Sequence, residues 1–226
     1  MNEIIKNKID KEYFNKKEWA RKYENLDERL NFKRRILFLK KGKEIKNKNL
    51  TFISNNCIAT NICYDFGIEP YAMLERIWIE PNDYLKFLAN LKYYISLEPE
   101  VICDRNYYIV IRLGDINICH THSNNLQYVL NSFKKEKIYY DNLFILFDSV
   151  YVNKKDELNL LNKFQELPYK NKLYITGNVK LKDYKDVFYI KNFDTYKYKR
   201  FVKNDNIVMS IDNIDFLKWF NGKNIK

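Results

Sequence analysis

The chain has 226 residues, 46% hydrophobic and 16% aromatic, with five Gly, four Pro and a formal charge of +11. That length buries a proper core, and the apolar content excludes a disordered chain. No run of about 18 apolar residues occurs, which excludes a membrane-spanning helix, and the first residues lack the apolar stretch of a signal peptide.

The charge is uneven. Residues 1–50 hold 16 Lys or Arg against 8 Asp or Glu, while the remainder holds 24 against 21. Residues 10–40 read as a helix with Trp19, Tyr23, Leu26 and Leu30 on one stripe. Residues 1–49 are therefore expected to be a basic helical arm. Through residues 1–45 such an arm can rest on an anionic membrane, or it can dock on the fold. Docking is favoured because acids interrupt the basic face.

Thr51-Phe52-Ile53 is a short buried strand, ending in Ser54-Asn55-Asn56-Cys57. Ile58 to Phe66 follows as a helix with Gly67 past its end, and Arg76 to Ile79 as a second strand. A helix from Asn82 to Ser96, capped by Asn82 or Asp83, buries Tyr84, Phe87, Leu88, Leu91 and Ile95. Tyr107–Ile111 and Asp115–Thr121 form a hairpin turning at Gly114-Asp115, before a helix from Asn124 to Lys137. This closes a first α/β subdomain, residues 50–137.

The second subdomain spans 138–226. Tyr140–Phe147 is a strand ending in Asp148. Lys155–Leu167 is a helix with Leu158, Leu161, Phe164 and Leu167 on one face. Lys172–Thr176 is a strand parallel to the first. Asp186–Ile190 is another strand, Lys191–Asn206 a loop, and Asn213–Asn221 a terminal helix capped by Asp212 or Asn213 that packs back. The fold class is α/β, with Rossmann-like mixed and parallel sheets.

Residue chemistry alone gives few catalytic signals. GxGxxG, P-loop and GxSxG patterns are absent. The four cysteines lack metal-ligand or redox spacing, which fits free thiols in a reducing cytoplasm. His120 and His122 share one side of a strand, but no third ligand is visible, so no metal is expected and the cofactor stays open. Asp148 ends a parallel strand, where open α/β sheets place ligand-binding residues. Asp115 and Asp141-Asn142 equally suit turns.

Five segments carry a resemblance. They are Ser54-Asn55-Asn56-Cys57, Pro81 to Phe87, Leu113-Gly114-Asp115-Ile116, Asp141-Asn142-Leu143 and Leu167 to Lys172. Together they resemble a bacterial exopolysaccharide-biosynthesis family (domain of unknown function nineteen-nineteen) over about Leu50 to Gly222. The family's histidine matches His122. Where similar sequences carry Trp-x-Arg-Arg, this chain has Asn131, Phe133 and Lys134. Ile58 and Ser123 stand where a Trp and a Tyr are usual. The chain is thus expected to be a diverged member.

The resemblance implies a protein of cell-surface polysaccharide assembly, glycosyltransferase-like, acting on a sugar or sugar nucleotide. In that reading Ser54, Asn55, Asn56 and Asn142 bind substrate, while His122, Asp115 and Asp148 supply acid–base or orienting groups. The alternative is a non-catalytic accessory or scaffold protein of a polysaccharide locus. Nucleic-acid binding through the arm ranks last, because the rest of the chain is nearly neutral. The expected location is the cytoplasm, with peripheral contact at the inner membrane face.

Overall fold

A computed structural model describes residues 36–105, 108–121, 123, 125–134, 137–191, 193, 200–203 and 206–225. The stripe of the arm, Trp19 to Leu30, lies outside the described residues, as does His122. Helix α1 is described over residues 36–42.

Two four-stranded sheets organise the fold. The first is parallel, in the order β1 (Thr51–Ser54), β6 (Leu143–Asp148), β7 (Asn171–Thr176), β8 (Val187–Tyr189). The second is antiparallel, in the order β2 (Ile77–Ile79), β5 (Ile116–His120), β4 (Tyr108–Leu113), β3 (Glu100–Arg105). Strands β9 (Arg200–Lys203) and β10 (Asn206–Met209) form a separate hairpin, and β9 lies within the expected loop Lys191–Asn206. Strand β3 had no counterpart in the sequence reading.

The parallel strands are buried on both faces, so they read as continuous apolar runs. Alternation still sorts their side chains. Ile53, Leu143, Ile145, Phe147 and Tyr174 face one cluster, which they share with α3 (Pro81–Ala89), α6 (Glu157–Glu166) and the isoleucines of the antiparallel sheet. Phe52, Phe144, Leu146, Leu173 and Ile175 face the other, against α2 (Ile58–Phe66) and α7 (Phe216–Phe220). Strand β1, numbered within the expected 50–137 unit, pairs with β6 beyond residue 137. The first cluster likewise draws on both sides of that boundary.

Helix ends explain most differences from expectation. Gly67 takes φ +65°, and Ile68 N–H closes the helix on Cys63 O at 2.8 Å. The expected long helix at 82–96 is broken at Asn90 (φ −131°), giving α3 and α4 (Leu91–Ile95). Its cap is Glu80, with Pro81 in the first turn, rather than Asn82 or Asp83. Helix α5 (Leu126–Ser132) is capped by the Asn125 side chain. On α6 the buried apolar positions are Leu160, Leu161 and Phe164, and Leu158 is exposed. Asp215 caps α7, displacing the expected cap by two or three positions into a shorter helix.

Candidate functional site

The carboxyl ends of three adjacent parallel strands carry polar side chains that are buried: Ser54, Asn55 and Asn56 after β1, Asp148 and Ser149 after β6, and Thr176 at the end of β7. Hydrogen bonds join the first two sets. Asp148 N donates to Asn55 Oδ1 at 2.8 Å, and Asn55 Nδ2 donates to the Asp148 carbonyl at 2.9 Å. The Asn55 amide thus mimics a backbone unit and extends the β1–β6 ladder beyond the Ser54–Leu146 pair. Asn56 Nδ2 donates to Asp148 Oδ2, and Val150 N donates to Asp148 Oδ1 at 2.9 Å.

The first turn of α2 is set by the same residues. Asn56 Oδ1 accepts from Ile58 N at 3.0 Å, and Ser54 Oγ accepts from Ala59 N at 3.0 Å while donating to the Asn56 carbonyl. Sequence placed these residues correctly at a strand-to-helix turn. Their side chains face one another: Asn55, Asn56 and Asp148 are 4%, 3% and 2% exposed. A carboxylate bonded on both oxygens acts as a fixed acceptor and orienting group.

A second clamp stands beside it. Glu157, buried at the start of α6, accepts from Thr176 Oγ1 and from Asn178 Nδ2 at 3.0 Å. Sequence reading missed Glu157, because a charged residue at a helix start ordinarily signals a solvated first turn.

Two expected members lie elsewhere. Asn142 precedes β6 and donates to the Asn49 carbonyl at 3.0 Å, at the opposite end of that strand from Asp148. The two are six residue steps apart along the strand, roughly 20 Å, so Asn142 does not share a hollow with Asn55 and Asn56. Asp115, at the hairpin turn, binds Lys86 Nζ at 2.9 Å and Tyr94 Oη at 2.7 Å. It stands three residues along β5 from Ile118, whose neighbour Ile79 donates to the Asn55 carbonyl, a separation of about 10 Å along the strand. The Tyr94 and Lys86 bonds hold the Asp115 carboxyl below its usual range. An ionised, tethered surface acid suits a turn.

At the other end of β5, His120 is 3% exposed and its Nε2 is buried without a hydrogen-bond partner. Burial lowers the imidazole to about 4, against the opposing pull of Glu75 and its backbone. Among the described residues, no three His, Cys, Asp or Glu side chains gather to hold a metal ion. Among the described residues Cys57, Cys63, Cys103 and Cys119 form no disulfide, and no described helix is long and apolar enough to cross a membrane.

With this geometry in hand, comparison with known proteins gives the family. The model described as "Domain of unknown function (DUF1919)" matches residues 28–221. The chain belongs to this family. A Haemophilus influenzae relative, itself described as an uncharacterized protein, is 27% identical over 189 residues, covering 79% of this chain and 87% of its own. The DUF1919 match takes in both sheets, both clamps and all of α7, so the clamp residues lie inside the family region.

Proposed function

We propose that this DUF1919 protein works in the assembly of cell-surface polysaccharide, as a glycosyltransferase-like protein whose sugar or sugar-nucleotide substrate docks at the carboxyl edge of the parallel sheet. One observation carries the reading: adjacent parallel strands end in a buried, hydrogen-bonded polar network at the edge where open α/β sheets receive ligands. Chains keep such networks in place of apolar packing mainly where function needs them. The resemblance to exopolysaccharide-biosynthesis proteins supplies the substrate class.

In this reading Asp148 is the orienting acid. Ser54, Asn55 and Asn56 hold the strand ends and the start of α2 rigid, so that backbone groups of the edge meet the sugar. His122 is the acid–base candidate, and peripheral contact of residues 1–45 with an anionic inner membrane face is the less favoured alternative to docking of that arm on the fold. Calorimetry with nucleotide sugars tests the reading: the chain should release heat with one of them, and Asp148→Asn should weaken that binding and reduce polymer output.

A second reading, a non-catalytic accessory protein, is favoured by the same clamp. Asn55, Asn56 and Asp148 satisfy one another inside the protein. It expects no heat with any nucleotide sugar, and polymer loss only when the fold itself is lost.

A further inference from the structure

Three features outside the clamp meet where β2 starts and β5 ends. Arg76 holds φ at +53°, in the left-handed region that few residues with side chains adopt. Its backbone is fixed from both sides. Arg76 N donates to Thr60 Oγ1 at 3.0 Å, and its carbonyl accepts from Thr121 N at 3.3 Å and Thr121 Oγ1 at 3.4 Å. Strain of this kind persists where surroundings over-determine it, and it gathers at ligand sites.

Beside it, the Glu75 carboxylate accepts hydrogen bonds from Tyr64 of α2 and, at 2.7 Å, from Tyr128 of α5. Arg76 Nε stands 3.6 Å from Glu75 Oε1, longer than a direct hydrogen bond. The carboxylate is thus held by the phenols, and the Arg76 side chain, 55% exposed, keeps donors free. The Glu75 bonds and burial push both phenols up to about 12, so they stay protonated.

His120 is the third feature. It pairs with Ile77 across β2 and β5, next to Arg76, and Glu75 lies close enough to act on its ring electrostatically. Its Nε2 is buried with no hydrogen-bond partner, and in a neutral imidazole that nitrogen can serve as an acceptor.

We infer that Glu75, Arg76 and His120, flanked by Tyr64 and Tyr128, form a binding site for a phosphorylated, hydroxyl-bearing ligand. The phosphate takes the Arg76 fork, whose planar donors match phosphate oxygens. A ligand hydroxyl donates to His120 Nε2. Tyr64 and Tyr128 are exposed, so either phenol can turn away from the Glu75 carboxylate without moving a strand. The site shares no side chain with the clamp. It rests on the sugar reading only for the choice of a sugar phosphate as ligand.

The test titrates the full chain with glucose 1-phosphate, inorganic phosphate and glucose. Glucose 1-phosphate should bind more tightly than either of the others. At saturation the 15N signal of His120 Nε2 should shift as it gains a hydrogen bond. Arg76→Gly should lose roughly tenfold or more in affinity while unfolding at the same or a higher temperature, because Gly takes this φ without strain. No binding of glucose 1-phosphate, undiminished binding in Arg76→Gly, or an unmoved His120 signal overturns the inference. Binding lost in Asp148→Asn but kept in Arg76→Gly also overturns it, and leaves the clamp reading standing. Binding that depends on Arg76, with polymer output indifferent to Asp148→Asn, upholds the inference and removes the clamp reading instead.

Discussion

A carboxylate sealed at 2% exposure, as Asp148 is, persists because donors answer its oxygens. Asp148→Asn puts an amide N–H against either Asn56 Nδ2 or Val150 N. A donor facing a donor in the interior should cost about 1–3 kcal/mol, read as a lower urea midpoint with unchanged slope. His120 adds a pH dependence of known sign. Its imidazole sits at about 4 in the fold, below the ordinary 6.5, so the unfolded chain binds the proton more readily. Stability from this group is complete above pH 6.5 and is lost as pH falls towards 4, about 3 kcal/mol in all. His120→Phe should flatten that part of the denaturation profile, and an unchanged difference between pH 7 and pH 4 would exclude the effect. Sequence could mark His120 as a polar residue on an isoleucine face. The orphaned Nε2 depends on neighbours from β2 that sequence cannot place.

At the scale of elements, contacts between helix ends and strands decide what periodicity leaves open. Lys172, buried in β7, donates through Nζ to Phe164 O at 3.2 Å and also to the carbonyls of Gln165 and Leu167. It closes the last turn of α6, where orphan carbonyls collect. Lys172→Met keeps the apolar stem and removes those donors, so it should lower stability by about 2 kcal/mol, measured by thermal unfolding. Gly42 meets α2 still more tightly, since an added Cβ would lie 1.8 Å from the Phe66 carbonyl oxygen. Gly42→Ala must push α1 off α2 and should cost about 2–4 kcal/mol; an unchanged melting temperature would show that the two helices separate freely. The break at Asn90 was not legible either. The apolar spacing of Tyr84, Phe87, Leu88 and Leu91 runs straight through it.

Over the whole molecule, the parallel sheet serves as a wall shared by two cores. On one side Trp219 of α7 packs edge-on against Phe52 and Phe144, with ring centroids at 5.7 and 5.1 Å. Those residues come from β1 and β6, which sequence reading assigned to different subdomains. Trp219→Ala should therefore weaken both halves together, by about 3–5 kcal/mol, as one cooperative transition. Two transitions would mean that the halves fold apart.

The α/β class, the order of most elements and the polar turn after β1 are legible in the order of residues. Each follows from local spacing: continuous apolar runs for doubly buried strands, amphipathic stripes for helices, and Asn, Ser and Gly at element ends. Which of those polar residues meet is set by folding in three dimensions. It joined Asn55 and Asn56 to Asp148, 92 or 93 positions away, sent Asn142 and Asp115 to other ends of their strands, and assembled Glu75, Arg76 and His120 with tyrosines from two helices. Strand pairing sets those neighbourhoods. Its partners are distant in the chain, and a backbone held at positive φ by remote hydrogen bonds leaves no pattern in the order of residues.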